Sequence, residues 1–156
     1  PDGNLVGGTD ISAPGGGHVT ATEGSIYLFD MQTREVVFRM NPVPGAKFIR
    51  ALATGPNGRV YGLAQGGGFF VFDPQSRDVV HTENWSAYGE PAHLVAGEDG
   101  QVYALMTRAI VRIDSATLTH TKLATPPSDI SYGGPIIGGR LYYTSVANLW
   151  SYRLGE

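Results

Sequence analysis

The chain has 156 residues, 42% of them hydrophobic and only 16% charged, with a formal net charge of −3 and no cysteine. That length suffices for a single domain with its own core. The absence of a basic run argues against nucleic acid as a partner. The absence of cysteine excludes disulfides and thiolate metal sites, and no apolar stretch approaches the roughly 20 residues of a membrane-spanning helix.

The first recognisable segment, Asp2-Gly3-Asn4-Leu5-Val6, is a turn entering a strand. A Gly-rich stretch follows over residues 10–23, and then alternating apolar residues (Ile26, Leu28; Val36, Phe38) flank the turn Asp30-Met31-Gln32-Thr33. The next region reads as four strands at 48–54, 59–64, 68–72 and 78–82, and the following one as strands at 93–96, 101–106, 109–113 and 119–123. The last contains Ile136-Ile137-Gly138-Gly139-Arg140-Leu141-Tyr142-Tyr143 and a final strand at 148–153. Alternation with period two and no sustained period near 3.6 predict almost no helix.

These regions are copies of one pattern. Gly55-Pro56-Asn57-Gly58-Arg59-Val60-Tyr61 returns as Gly97-Glu98-Asp99-Gly100-Gln101-Val102-Tyr103, and the turn glycines Gly58, Gly100 and Gly139 lie 42 and 39 residues apart. Asn-Gly and Asp-Gly favour the positive φ of hairpin turns. Asp30, Asp73 and Asp114 each open the turn between third and fourth strands, where a carboxylate accepts the backbone N–H two residues on. First strands are small or slender (Ala51, Ala53; Ala92, Ala96; Gly133, Gly134), as suits strands crowded round an axis. The period and the strand count predict an all-β fold, a β-propeller arc of about four blades with roughly 40-residue repeats. Its blades fall at about 1–42, 43–84, 85–126 and 127–156. The first lacks its innermost strand and the last its outermost, which predicts an arc of a longer propeller, an arc closed by another chain, or a compressed four-bladed ring.

The segments Tyr61-Gly62-Leu63…Phe70-Val71-Phe72-Asp73-Pro74 and Tyr103-Ala104-Leu105…Ile110-Val111-Arg112-Ile113-Asp114 resemble the secreted bacterial β-propeller repeat proteins of the quinoprotein-like and YVTN type. The resemblance implies a propeller and gives a leaning toward an extracellular or periplasmic setting. It implies no one chemistry, since the group includes dehydrogenases, lyases, lactonases and non-catalytic modules, and it brings no cofactor.

Propeller ligands gather at one mouth of the channel, on loops joining second to third strands and one blade to the next. The enlarged loop at 10–23 carries Asp10, His18 and Glu23, which either supply a base or metal ligand or sit solvated on a flexible excursion. No dedicated metal site is expected. Aligned on the turn glycines, Ala51, His93 and Tyr132 are equivalent, with Arg50 beside the first. His93, Tyr132, Arg50 and Lys47 are therefore candidates for a shared site, or else packing residues near the axis. Trp85 and Tyr88 are either aromatic platforms at the mouth or covers for a blade edge. Tyr61, Tyr103 and Tyr142 follow the repeat and read as packing residues.

The leading expectation is a non-catalytic binding or scaffold segment of a larger bacterial propeller, contacting carbohydrate or protein through its loop face. The first alternative is a carbohydrate-active enzyme such as a polysaccharide lyase, with His18 or His93 and Tyr132 as base and acid and Arg50 or Lys47 holding an anionic substrate. The second is an oligomerising fragment whose ends pair between copies.

Overall fold

The computed structural model describes residues 3–13, 15 and 17–155. Asp2 of the N-terminal copy and Pro14 and Gly16 of the insertion lie outside the described residues. Fourteen strands, among the described residues, form four antiparallel sheets. The first sheet holds β1 (Leu5–Gly8), β2 (Ile26–Asp30) and β3 (Glu35–Met40). The second holds β4 (Ile49–Thr54), β5 (Val60–Ala64), β6 (Gly68–Asp73) and β7 (Asp78–Asn84). The third holds β8 (Pro91–Ala96), β9 (Val102–Met106), β10 (Ala109–Ile113) and β11 (His120–Ala124). The fourth holds β12 (Tyr132–Ile137), β13 (Arg140–Ser145) and β14 (Asn148–Arg153). Within each sheet, strands pair in chain order, as in an up-and-down meander. Two single 3-10 turns, Gln65–Gly67 and Ser86–Tyr88, lie between strands.

Each sheet has a near face toward the sheet before it and a far face toward the sheet after it, because successive side chains alternate. The far face of the first sheet (Val6, Ile26, Leu28, Phe38) packs on the near face of the second (Leu52, Val60, Phe70, Phe72). Tyr61, Leu63, Phe69 and Val71 then meet Leu94, Val102, Ala104, Met106 and Val111. Tyr103, Leu105 and Ile110 in turn meet Leu141 and Tyr143. This face-to-face stacking of small meanders is the propeller arrangement, and these three clusters are its core. Among the described residues, none of the three joins the fourth sheet to the first.

Turn chemistry fixes the register. Asp30, Asp73 and Asp114 each accept the backbone N–H two residues on, at 2.7, 2.9 and 2.9 Å, as the sequence predicts. Each turn then closes on a residue in the left-handed region, Arg34, Arg77 or Leu118, whose N–H donates 2.8 Å to that Asp carbonyl. In the turns between first and second strands, only the glycine of each Asn-Gly or Asp-Gly pair takes the expected positive φ. Gly58 and Gly100 take positive φ while Asn57 and Asp99 do not, and the side chains of Asn57 and Asp99 accept the N–H of Arg59 and Gln101 at 3.1 Å. These are three-residue loops ending in a left-handed glycine. The corresponding turn of the fourth sheet holds two left-handed residues, Gly138 and Gly139.

The tyrosines of the repeat pack as expected at two positions. Tyr61 and Tyr103 are buried, and the Tyr103 hydroxyl donates to Asp99 at 2.5 Å. Burial and the Asp99 carboxylate push the Tyr103 phenol up. Tyr142, on the far face of the fourth sheet, is only partly covered because no described sheet follows it.

Candidate functional site

The loops joining second to third strands and one sheet to the next come together around a cleft of about 470 Å³. It is lined by Arg50, Gln65, Glu90, Thr107 and Ser131, with Phe48, Pro91, Ala92 and Ile130 as its apolar part. A repeated latch builds it. The Gln65 carboxamide accepts the Lys47 N–H at 2.9 Å, and the Thr107 hydroxyl accepts the Glu90 N–H at 2.9 Å. Main-chain bonds run alongside, from Gln65 to the Phe48 carbonyl (3.1 Å) and from Thr107 to the Glu90 carbonyl (2.9 Å). The fourth sheet varies the latch: Ser131 accepts the Val146 N–H at 3.2 Å, and Ser145 donates 2.7 Å to the Asp129 carbonyl. Glu90 also accepts the Gly66 N–H at 3.2 Å. Gly67 is irreplaceable in this weave: its φ is +81°, and a Cβ there would lie 2.6 Å from the Ser86 backbone nitrogen.

Arg50 is the cleft's exposed cation and Glu90 its exposed anion. A guanidinium beside a carboxylate, an amide and two hydroxyls can grip vicinal hydroxyls or a carboxylate of a polar ligand. Gln65, Glu90 and Thr107 were not among the residues predicted from sequence. The available signal was positional: Gln65 and Thr107 each follow directly on a second strand.

Other predicted site residues are placed elsewhere. The equivalence of Ala51, His93 and Tyr132 is seen in the register, where they pair with Leu63, Leu105 and Thr144. That same register keeps them apart. All three stand on far faces, so His93 packs toward β12, where a Cβ on Gly133 would lie 2.2 Å from the His93 Cβ. Tyr132 projects from the opposite side of β12 and is 65% exposed. One strand thus separates the two side chains of the supposed acid–base pair. Burial lowers the His93 pKa, favouring the neutral ring.

Trp85 is not a platform at the mouth. It is 2% exposed, lies in the core between second and third sheets, and stacks on Phe69 with ring centroids 4.1 Å apart. Its indole N–H donates to Glu83 at 2.8 Å. Tyr88 is half-buried beside it, its hydroxyl 3.2 Å from His120 Nε2. Glu83 also meets His81 Nε2 and His120 Nδ1, each at 2.7 Å. Burial pushes Glu83 up, but the hydrogen bonds from Trp85 and His81 and the nearby His120 and His81 outweigh it and hold the carboxyl below its ordinary range.

The insertion at 10–23 is tied down at both ends. Asp10 accepts the Ser12 N–H at 2.7 Å and bonds the Ser12 hydroxyl, and it bridges to Phe48. These Ser12 bonds hold the Asp10 carboxyl low. Glu23 accepts from Asn41 Nδ2 and the Gly45 N–H, both at 2.6 Å, and is lowered by them. Both carboxylates are therefore committed to loop structure. His18 and Lys47 are exposed, and among the described residues no acidic and histidine group is arranged to hold a metal.

A larger cleft, about 870 Å³, opens on the opposite rim between turns of the second and third sheets. Its polar groups are engaged with one another: Asn57 Nδ2 donates to the Ser115 carbonyl at 2.9 Å, and Arg59 Nε lies 3.6 Å from Asp73.

Among solved structures, the chain is similar to the extracellular domain of a protein assigned to the hybrid two-component systems of B. thetaiotaomicron. The identity is 16% and the TM-score 0.66, covering 81% of this chain and 19% of that one. It is also similar to virginiamycin B lyase from Staphylococcus aureus (15% identity, TM-score 0.57, 83% of this chain and 48% of that one). The WD40 repeats of RRP9 match at 10% identity with a TM-score of 0.61, covering 76% and 36%. The chain thus spans about a fifth of the first of these, and at such identities the likeness shows the fold alone: β-propeller blades. No curated protein matches by sequence. A family model matches residues 14–138, and the chain belongs to that family, the domain of unknown function DUF5074.

Proposed function

We propose that this chain is a non-catalytic binding or scaffold segment of a β-propeller, and that its mouth cleft takes a polar ligand of the carbohydrate class. The observation that carries the reading is the cleft itself. Arg50, Glu90, Gln65, Thr107 and Ser131 surround about 470 Å³, on loops latched to the strands beneath. That volume falls within the roughly 300–1,000 Å³ of small-molecule sites, and the polar groups rest on a preformed frame. The extracellular domain among the structural neighbours supports an extracellular or periplasmic setting, where such ligands are met.

The lyase reading requires an acid and a base at one cavity. His93 and Tyr132, one of the two pairs expected for it, lie on opposite sides of β12 and do not support it; the other candidate, His18, stands exposed on the insertion. The binding reading is tested by titration calorimetry with oligogalacturonate and with a neutral oligosaccharide of the same length. Arg50→Ala is expected to weaken oligogalacturonate binding about tenfold or more, the loss of a charge-assisted hydrogen bond. Absence of heat with either oligosaccharide at millimolar concentration overturns the carbohydrate assignment.

A further inference from the structure

The second and third sheets hold a chain of hydrogen-bonding groups that the mouth cleft does not use. Glu83 stands near the end of β7 and His120 begins β11, the outermost strands of their sheets, and Tyr88 closes the 3-10 turn between them. His120 Nδ1 lies 2.7 Å from Glu83 Oε2, and the Tyr88 hydroxyl lies 3.2 Å from His120 Nε2. A carboxylate only accepts, so the first contact puts a proton on Nδ1 and leaves Nε2 of the neutral ring as an acceptor. The Tyr88 O–H then donates to Nε2. Glu83 is held in place by two further donors, the Trp85 indole N–H at 2.8 Å and His81 Nε2 at 2.7 Å.

A hydroxyl, a base within reach of its proton and a carboxylate that orients the base make up the arrangement that activates a nucleophile. Two more features fit that use. Lys122 Nζ stands over the Tyr88 ring, 5.8 Å from its centroid, where its charge favours a developing phenolate. A cleft of about 300 Å³ opens on the same groups, lined by Glu83, Asn84, Trp85, Ala87, Tyr88 and His120. That is the lower end of small-molecule sites, room for a small acyl group and its leaving group. The cleft shares none of its lining residues with the one at the mouth, so the two are separately testable.

We infer that Tyr88 is a nucleophile that takes an acyl group from small esters, with His120 as its base and Glu83 as the residue that positions His120. The Tyr88 oxygen attacks the ester carbonyl carbon while its proton passes to His120 Nε2, and Glu83 stabilises the imidazolium that forms. The tetrahedral adduct collapses, the bond to the leaving oxygen breaks, and His120 returns the proton to that oxygen. The products are the acyl ester of Tyr88 and the free alcohol, with no change of oxidation state. A purely structural tie between the two sheets predicts no such reactivity, and the other tyrosines of the chain supply the comparison.

The test is reaction of the chain with excess p-nitrophenyl acetate, followed by release of p-nitrophenolate and by peptide mass mapping of the acetylated sites. The eight tyrosines compete in one sample. Tyr132, 65% exposed, is the reference for an unassisted phenol. Tyr88 is expected to be acetylated at least about tenfold faster than Tyr132, since a positioned base contributes roughly 10²–10⁴ and half-burial takes back part of it. Tyr88→Phe is expected to abolish the fast phase of release, and His120→Gln to bring Tyr88 down to the rate of Tyr132 or below. Should His120→Gln not fold, as judged by circular dichroism, the ratio within the wild-type chain still decides. A Tyr88 rate no higher than that of Tyr132 would overturn the assignment. So would an undiminished Tyr88 rate in folded His120→Gln, or fast release that survives Tyr88→Phe, the mark of acylation at His120 or Lys122 instead.

Discussion

Truncating Trp85 separates a packing role from a ligand platform. The side chain is 2% exposed, stacks on Phe69 at 4.1 Å with ring planes 7° apart, and donates to Glu83 at 2.8 Å. Trp85→Ala opens a cavity between second and third sheets, which costs about 3–5 kcal/mol when a large buried aromatic is removed. Glu83 keeps its contacts with His81 and His120, so no carboxylate is stranded and little is added to that figure. For a chain of this size, about 4 kcal/mol lowers the melting temperature by roughly 8–16 °C. Trp85→Phe keeps the stack and loses the N–H, and is expected to cost about 1–2 kcal/mol. The assay is urea unfolding followed by circular dichroism and by indole fluorescence. The only other tryptophan, Trp150, is removed as Trp150→Phe so that the emission reports Trp85 alone. Native emission should be blue-shifted and move red on unfolding. A cost below about 1 kcal/mol for Trp85→Ala, the range of a surface substitution, would refute the burial argument.

The remaining expectations concern titration and backbone. Because the Glu83 pKa is lowered, its contribution to stability is present above the unfolded-state value of 4.5 and is lost as pH falls through the folded-state value. Glu83→Gln should therefore flatten the acid limb of stability against pH, and an unchanged limb would count against the network. His93 is also lowered, by burial, so stability should decline as pH drops below the ordinary 6.5, and His93→Gln should remove that decline in chemical-denaturation curves. Gly62→Ala pushes a methyl into the Phe70 ring within a closed core and is expected to cost about 1–3 kcal/mol. Gly7→Ala makes the same contact with Tyr27, a residue less buried than Phe70, and should cost measurably less in urea melts. Arg34 holds a φ of +59°, and Arg34→Gly is expected to gain up to about 1 kcal/mol.

The sequence by itself determined what depends on neighbours along the chain. The Asp turns at 30, 73 and 114 follow from a carboxylate within reach of its own backbone, and the four meanders from period-two alternation between those turns. The equivalence of Ala51, His93 and Tyr132 was legible for the same reason, since a fixed turn length carries register from one copy to the next. The three-residue form of the Asn57-Gly58 turn was not, because an Asn-Gly pair serves both loop lengths and strand pairing chooses between them.

Only tertiary structure decided where those residues look. Adjacent residues on a strand face opposite sides of a sheet, so a one-residue difference placed Tyr132 and Gly133 on opposite sides of β12 and divided the expected acid–base pair. Trp85 sits in a loop by sequence, yet stacking on Phe69, distant along the chain and adjacent across the second sheet, turns it inward. Asp10 and Glu23 read either as ligands or as solvated residues of a flexible excursion until Ser12, Asn41 and Gly45 are seen to occupy their oxygens. The mouth cleft exists only where loops of successive sheets converge, and a repeat pattern fixes each loop without fixing what stands opposite it.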